Sequence, residues 1–108
     1  MKVYLDDERP TPEGWVGARY PSEVIAMLEE GNVEELSLDH DLGFNVNVCG
    51  YDVLVWLEEA VATRGFVPPR RIWIHTANPS ARTKMKLAVQ KIFELHQQNT
   101  KHKGKMKK

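Results

Sequence analysis

The sequence has little cysteine, no net charge and no long apolar run. Its 108 residues include one cysteine, Cys49, so an internal disulfide or a thiolate metal cluster is excluded. Its longest apolar runs reach only four or five residues, whereas a membrane-spanning helix needs about 20. The first residues show no hydrophobic leader segment, so we expect no secretory signal and no membrane partner. These features favour a small cytoplasmic protein of one domain.

The zero net charge conceals a strong asymmetry along the chain. Residues 1–60 hold fourteen acids and three bases, whereas residues 61–108 hold twelve bases and one acid. The last part of the basic half has five lysines and no acid. This composition predicts either a segment that binds polyanions or a tail that only increases solubility. We therefore expect a folded domain over residues 1–96 and a disordered basic tail over residues 97–108. Non-specific nucleic acid is a candidate partner of this Lys-rich tail.

Alternating strand and helix patterns predict the fold class. Short apolar runs ending at acids, prolines or glycines predict strands at residues 3–5, 15–20, 35–38 and 71–74. Amphipathic spacing predicts helices at residues 22–30 and 52–64, and a third helix that begins after Asn78. This alternation favours an α/β fold, a small three-layer parallel sheet of about four strands flanked by helices. The first connection is too short for a crossover helix, so either those strands pair unusually or a helix is missing.

Polar side chains follow three of the four predicted strands. Because the carboxyl ends of parallel strands meet at one edge of a sheet, we expect these side chains to lie close together. A cluster of hard carboxylate oxygens suits Mg²⁺ or Mn²⁺ better than zinc. A single acidic pair after a strand is also typical of a solvated turn. The converging residues are Asp6, Asp7, Asp39, His40, Asp41, His75 and Thr76.

The same edge has candidates for acid–base chemistry and for phosphate binding. His75 directly follows an apolar strand and is the stronger acid–base candidate, whereas His40 is equally well explained as a structural histidine. The helix that opens at Asn78 points its free amide groups at the crevice, where a phosphate would bind. Arg9 and Arg82 flank the crevice and are candidates to clamp that phosphate, although surface arginines without such a role are common.

Three other features of the sequence lie apart from these converging residues. The tryptophans Trp15, Trp56 and Trp73 lie within apolar runs, which predicts core positions rather than base-stacking surfaces. Cys49 has no base near it in sequence, so we do not expect a thiol nucleophile. The glycine-bounded segment at residues 43–50 is interpreted as a mobile lid.

Two motifs resemble the strand ends of response-regulator receiver domains. They are LDDERP at residues 5–10 and SLDHDLG at residues 37–43. The resemblance implies a reduced receiver-like or Rossmann-like sheet, because the first helix and the fifth strand with its lysine are missing. The residues that match the receiver pattern are Asp6 and Asp7 as the paired acids, Asp39 as the phosphoacceptor, and Thr76-Ala77 as the Ser/Thr-Ala step.

The sequence is more similar to the cyclic-phosphate processing receiver-like domains, across roughly residues 3–95. The matching segments are LDDERPTPEGW, SLDHDLG, GYDVLVWLEEAV and IHTANPSAR, in that order. This resemblance implies a substrate with a cyclic phosphate, on an RNA end or a small nucleotide.

Two hypotheses of function follow. The first is a metal-dependent phosphoesterase, in which His75 protonates the leaving oxygen and His40 or Asp41 is the base. In this hypothesis Asp6, Asp7 and Asp39 hold Mg²⁺ or Mn²⁺, and Thr76, Asn78, Arg82 and Arg9 bind phosphate oxygens. The alternative is a non-catalytic receiver-like module that binds a phosphorylated nucleotide or a protein partner.

Overall fold

The computed structural model describes residues 1–39 and 50–106, with the side chains of the last helix described to residue 100. The described residues form one parallel sheet of four strands and three helices, as the sequence predicts, and the strand order is β2-β1-β3-β4. The elements are β1 (Lys2–Leu5), β2 (Val16–Ala18), α1 (Pro21–Glu30), β3 (Glu35–Leu38), α2 (Tyr51–Arg64), β4 (Arg71–Ile74) and α3 (Pro79–Met106).

No described helix combines the length and the apolarity that a membrane span requires.

The first two strands are parallel neighbours although no helix connects them. Residues 6–15 contain neither helix nor strand, yet Val3 pairs with Val16 in β2. The amide of Asp6 donates to the carbonyl of Ala18 at 3.0 Å, which extends the pairing past the end of β1. Both alternatives predicted for this connection therefore hold, because a helix is absent and the pairing is unusual.

The hydrophobic core lies against one face of the sheet. Successive side chains of a strand point to opposite faces of the sheet, and the fully buried strand residues all lie on the same face. All three helices supply side chains to this one cluster, so the described chain forms two layers rather than the predicted three. The sequence prediction assumed a helix on each face, and the helix missing after β1 removes one of them. The cluster contains Val3, Leu5, Leu36 and Leu38 from the strands, and Val24, Leu28, Val53, Leu54, Leu57, Val61, Met85 and Ile92 from the helices.

We call the other side of the sheet the open face, defined by Tyr4, Ser37 and Trp73. These three residues pair in register across β1, β3 and β4, and none of them belongs to the core cluster. Trp73 is 49% exposed, so its predicted core position is wrong. The apolar run around it misled the prediction because Ile72 and Ile74, its neighbours, are the ones that pack against the core.

Helix α3 extends beyond the predicted end of the folded domain. It continues from Pro79 to Met106, whereas the sequence predicts disorder from residue 97. Asn99 lies on the side of α3 that contacts α2, and its Nδ2 donates to the carbonyl of Val61 at 2.9 Å. The helix therefore keeps a tertiary contact within the segment whose charge pattern predicts a tail.

Candidate functional site

The carboxyl edge of the sheet brings together Asp6, Asp39 and His75. Each residue directly follows a strand, and the last residues of those strands, such as Leu5 and Leu38, pair in register. One ligand-type atom from each of the three side chains lies within 4.8 Å of the others. We call these three residues the edge cluster. Their convergence is the arrangement that parallel strand ends predict.

Asp6 is buried and has a complete set of hydrogen-bond donors. Its Oδ1 accepts the amides of Glu8 at 2.8 Å and Arg9 at 2.9 Å, so the loop after β1 wraps around the carboxylate. Its Oδ2 accepts Nη1 of Arg9 at 2.9 Å and Nε2 of His75 at 3.1 Å. Burial alone raises the pKa of Asp6, but the donated hydrogen bonds outweigh burial and lower it below its usual value. Asp6 is therefore a carboxylate at neutral pH.

Contacts with Ser37, Tyr4 and Asp6 hold the imidazole of His75 in one orientation. Its Nδ1 lies 2.7 Å from Oγ of Ser37, and its ring stacks on Tyr4 with centroids 4.4 Å apart and planes 2° from parallel. Burial lowers the pKa of His75 below its ordinary value, against the opposing effect of Asp6 and Asp39. Because Asp6 only accepts hydrogen bonds, the neutral ring carries its proton on Nε2 and accepts the Ser37 hydroxyl at Nδ1.

Arg9 places a positive charge between the two carboxylates. Its Nη1 lies 2.9 Å from Oδ2 of Asp6 and 3.6 Å from Oδ2 of Asp39. These contacts, with the hydrogen bond to Asp6 as the largest cause, raise the pKa of Arg9. Nearly half of the Arg9 side chain remains exposed, so the guanidinium reaches the cluster from the solvent side. The position between the carboxylates therefore accommodates a cation.

Asp7 lies beside the edge cluster rather than within it. Its side chain lines a cleft of about 480 Å³ together with Asp6, Arg9, Thr11 and Arg19. Its Oδ1 is buried without a hydrogen-bond partner. A buried carboxylate oxygen without a donor is costly, so this unpaired acceptor beside the edge cluster favours a nearby cation.

The backbone of Asp39 is held against the start of α2. A Cβ on Gly50, the residue before α2, would lie 1.8 Å from the carbonyl oxygen of Asp39. Only glycine permits this approach, since any side chain would push the helix away from the end of β3. The N-terminus of α2 therefore sets the position of Asp39 in the cluster.

The three other predicted phosphate-binding residues form the cap of α3. Asn78 Oδ1 accepts the amide of Ala81 at 3.1 Å, which confirms the asparagine cap. The amide of Asn78 donates to Oγ1 of Thr76 at 3.2 Å, and Nη2 of Arg82 donates to the Thr76 carbonyl at 2.7 Å. Thr76 is fully buried, so this hydroxyl supports the turn that positions His75.

Several predicted features lie outside the described residues. These are His40 and Asp41, most of the proposed lid at residues 43–50, and Cys49.

The sequence prediction missed Ser37 and Tyr4, which position His75. Both precede a predicted site residue by two positions, Ser37 before Asp39 and Tyr4 before Asp6. Residues two apart on a strand share a face, so this spacing is the signal that would have identified them.

Comparison with known proteins gives one match. The sequence profile of a family described as "Cyclic-phosphate processing Receiver domain" matches residues 1–91. No curated protein and no solved structure matches the chain. The matched region includes the whole edge cluster and the first part of α3.

Proposed function

The chain belongs to the family of cyclic-phosphate processing receiver domains, and from this premise we propose that it is a metal-dependent phosphoesterase that hydrolyses a cyclic phosphate. The observation that carries the proposal is the edge cluster, in which two carboxylates and an imidazole place ligand atoms within 4.8 Å of one another. The substrate class is a cyclic phosphate on an RNA end or a small nucleotide.

The residues present fit a hard divalent ion such as Mg²⁺ or Mn²⁺. Asp6 and Asp39 supply carboxylate oxygens, and the guanidinium of Arg9 already lies between them as a cation. The buried Oδ1 of Asp7 lacks a partner in the adjoining cleft. When bound, the ion supplies polarisation of the phosphoryl group and activation of water.

The surroundings of His75 support a role as a ligand more than as a proton donor. A neutral imidazole offers a lone pair, and metal ligation requires the neutral form. The hydroxyl of Ser37 can also accept a hydrogen bond from Nδ1 of His75. In that tautomer Nε2 carries no proton and its lone pair is available to a metal ion. Proton donation by His75 requires the charged form, which burial disfavours. The proposed base, His40 or Asp41, is unaffected by this assignment.

Arg9 is the phosphate-binding residue that the contacts favour most. An ion on Asp6 and Asp39 neutralises the carboxylates that hold the guanidinium, and the side chain then has a charge to offer to a phosphate oxygen. Thr76, Asn78 and Arg82 remain candidates through the N-terminus of α3, although their side chains already cap that helix or brace its turn.

Receiver signalling is less well supported than hydrolysis. The described chain passes from β4 into α3, and the described residues contain no fifth strand with the lysine that receivers use to contact a phosphoryl group. A module that binds a cyclic phosphate without turning it over is the remaining alternative.

The decisive experiment combines Mn²⁺ binding with turnover. Mn²⁺ is titrated into the wild-type protein and into Asp39→Asn, with Glu30→Gln at the exposed end of α1 as the matched control. Hydrolysis of 2′,3′-cyclic and 3′,5′-cyclic nucleotides and of RNA ends is then measured with Mn²⁺ and with EDTA. We expect binding and turnover in the wild type and the control, and the loss of both in Asp39→Asn.

Other outcomes separate the alternatives. Bound Mn²⁺ and a protected cyclic phosphate without turnover would establish a binding module. Equal turnover in EDTA would overturn the metal-dependent mechanism. For His75, the variant His75→Asn should weaken Mn²⁺ binding if the imidazole is a ligand, whereas a proton donor would lower turnover at unchanged Mn²⁺ affinity.

A further inference from the structure

The open face continues away from the edge cluster along β4. Arg71 and Trp73 lie on this strand, and His75 directly follows it with its amide still bonded to the carbonyl of Leu38, so all three lie on the same face of the sheet. Adjacent residues of a strand rise about 3.3 Å, which places Trp73 about 6.6 Å from His75 and Arg71 as far again beyond it. A basic residue, an exposed indole and the edge cluster thus follow one another in a line.

The indole of Trp73 is exposed and also fixed in orientation. Its Nε1 donates to Oε1 of Glu35 at 3.2 Å, and Lys2 Nζ lies 3.8 Å from Oε2 of the same carboxylate. Half of the Trp73 surface nevertheless faces solvent. A flat apolar ring held in one orientation stacks a ligand ring at little cost in conformational entropy.

We propose that Trp73 stacks the terminal base of a single-stranded RNA whose cyclic phosphate lies at the edge cluster. This inference rests on the proposed function and deepens it, because it names the surface that recognises the rest of the substrate. Because Trp73 and His75 are two strand positions apart, a base on the indole and a phosphate at the edge cluster would be neighbours along the same face. Stacking on an aromatic ring accepts any base, so sequence tolerance follows.

Charge favours an RNA strand over a free nucleotide or a second copy of the chain. Lys2 and Arg71 pair in register with Glu35, one on each side of it, and Lys2 Nζ lies 3.8 Å from its carboxylate, so two cations flank the end of the open face far from the cluster. A free nucleotide has no phosphate to place there, whereas an RNA strand has its next phosphodiesters. A second copy would bring the same cations against one another.

The test measures RNA binding separately from turnover. A short single-stranded RNA ending in a 2′,3′-cyclic phosphate is titrated in EDTA into the wild type, Trp73→Ala, Trp73→Phe and the control Leu87→Ala, which truncates an exposed side chain on α3. We expect Trp73→Ala to weaken binding roughly ten- to hundredfold and Trp73→Phe to recover most of it. Circular dichroism and thermal unfolding check that each variant is folded.

Two further arms identify the occupant. An RNA that lacks its terminal base should bind the wild type and Trp73→Ala equally, and Arg71→Gln should reduce the salt dependence of binding by about one phosphate contact. Equal binding of the complete RNA by the wild type and Trp73→Ala would overturn the proposal. Insensitivity to Arg71→Gln would overturn the assignment to a strand, and self-association abolished by Trp73→Ala would assign the face to a second copy.

The two proposals fail in different ways. Turnover of a cyclic mononucleotide without any effect of Trp73 would refute only the stacking surface. RNA binding that depends on Trp73 but shows no turnover with Mn²⁺ would refute only the phosphoesterase.

Discussion

The two faces of the sheet use neighbouring residues for opposite purposes. Leu38 is fully buried beneath the helices, whereas Ser37, one position earlier on β3, hydrogen-bonds the imidazole of the edge cluster. Leu5 and Asp6 show the same division at the end of β1. Because side chains alternate along a strand, one residue stabilises the core and its neighbour contributes to the site. Substitutions on one face should change the free energy of unfolding, and those on the other face should change ligand binding.

The largest effect is expected on the covered face. Leu38→Ala removes a fully buried side chain from the centre of the core and should lower the free energy of unfolding by about 2–5 kcal/mol. Urea denaturation followed by circular dichroism measures this loss. Val55→Ala, on the exposed side of α2, is the control and should cost far less. A loss below about 1 kcal/mol for Leu38→Ala would mean that the core cluster does not carry the stability of the domain.

Gly50→Ala tests the contact between the start of α2, on the covered face, and the backbone of Asp39 in the edge cluster. The new Cβ would clash with the carbonyl oxygen of Asp39, so α2 and the end of β3 must separate. We expect a destabilisation of about 1–3 kcal/mol together with weaker Mn²⁺ binding, because Asp39 moves with its backbone. Calorimetric titration and thermal unfolding measure the two effects. If stability falls and Mn²⁺ affinity does not, the position of Asp39 is independent of α2.

The covered face was predictable from the sequence, and the open face only in part. The strand at residues 35–38 and the parallel sheet follow from apolar patterning and chain alternation, and the acids after the strands are visible because parallel strands end at one edge. The prediction for Trp73 was wrong, because in an apolar run the sequence does not show which alternate residues face the core. Ser37 was missed because the two-residue spacing before Asp39 was not used, and only the folded sheet shows the imidazole of His75 beside the hydroxyl.

Ser37→Ala separates metal binding from stability on the open face. Without the hydroxyl, Nδ1 of His75 loses its partner, and Mn²⁺ affinity should fall about 10–100-fold. The loss of one hydrogen bond should lower the free energy of unfolding by only about 1 kcal/mol. Calorimetric titration gives the affinity, and Ser37→Thr, which retains a hydroxyl, should recover part of it. Thr63→Ala removes an exposed hydroxyl on α2 as the control. Unchanged affinity in Ser37→Ala would remove His75 from the metal ligands.

The smallest effect on stability is expected from Glu35→Gln, which removes the charge beside Trp73 on the open face. The hydrogen bond from Trp73, opposed by desolvation and helped by Lys2, Arg71 and Arg70, lowers the pKa of Glu35 below its usual value. A carboxyl whose pKa is lower in the folded chain stabilises the fold above its unfolded pKa, and it loses that contribution as the pH falls through the folded value. Glu35→Gln should therefore unfold at a slightly lower temperature than the wild type at pH 7, and the difference should shrink below about pH 4.

Thermal unfolding of both proteins between pH 3 and pH 7 measures this difference directly, so contributions of other carboxyls cancel between the two. Glu13→Gln, in the exposed part of the first connection, is the matched control for the loss of one surface carboxyl. The absence of a difference at every pH would mean that Glu35 positions Trp73 through hydrogen bonding alone. The amide of glutamine retains an acceptor for the indole, so Trp73 would then stay in place without the charge, and RNA binding by Glu35→Gln would equal that of the wild type.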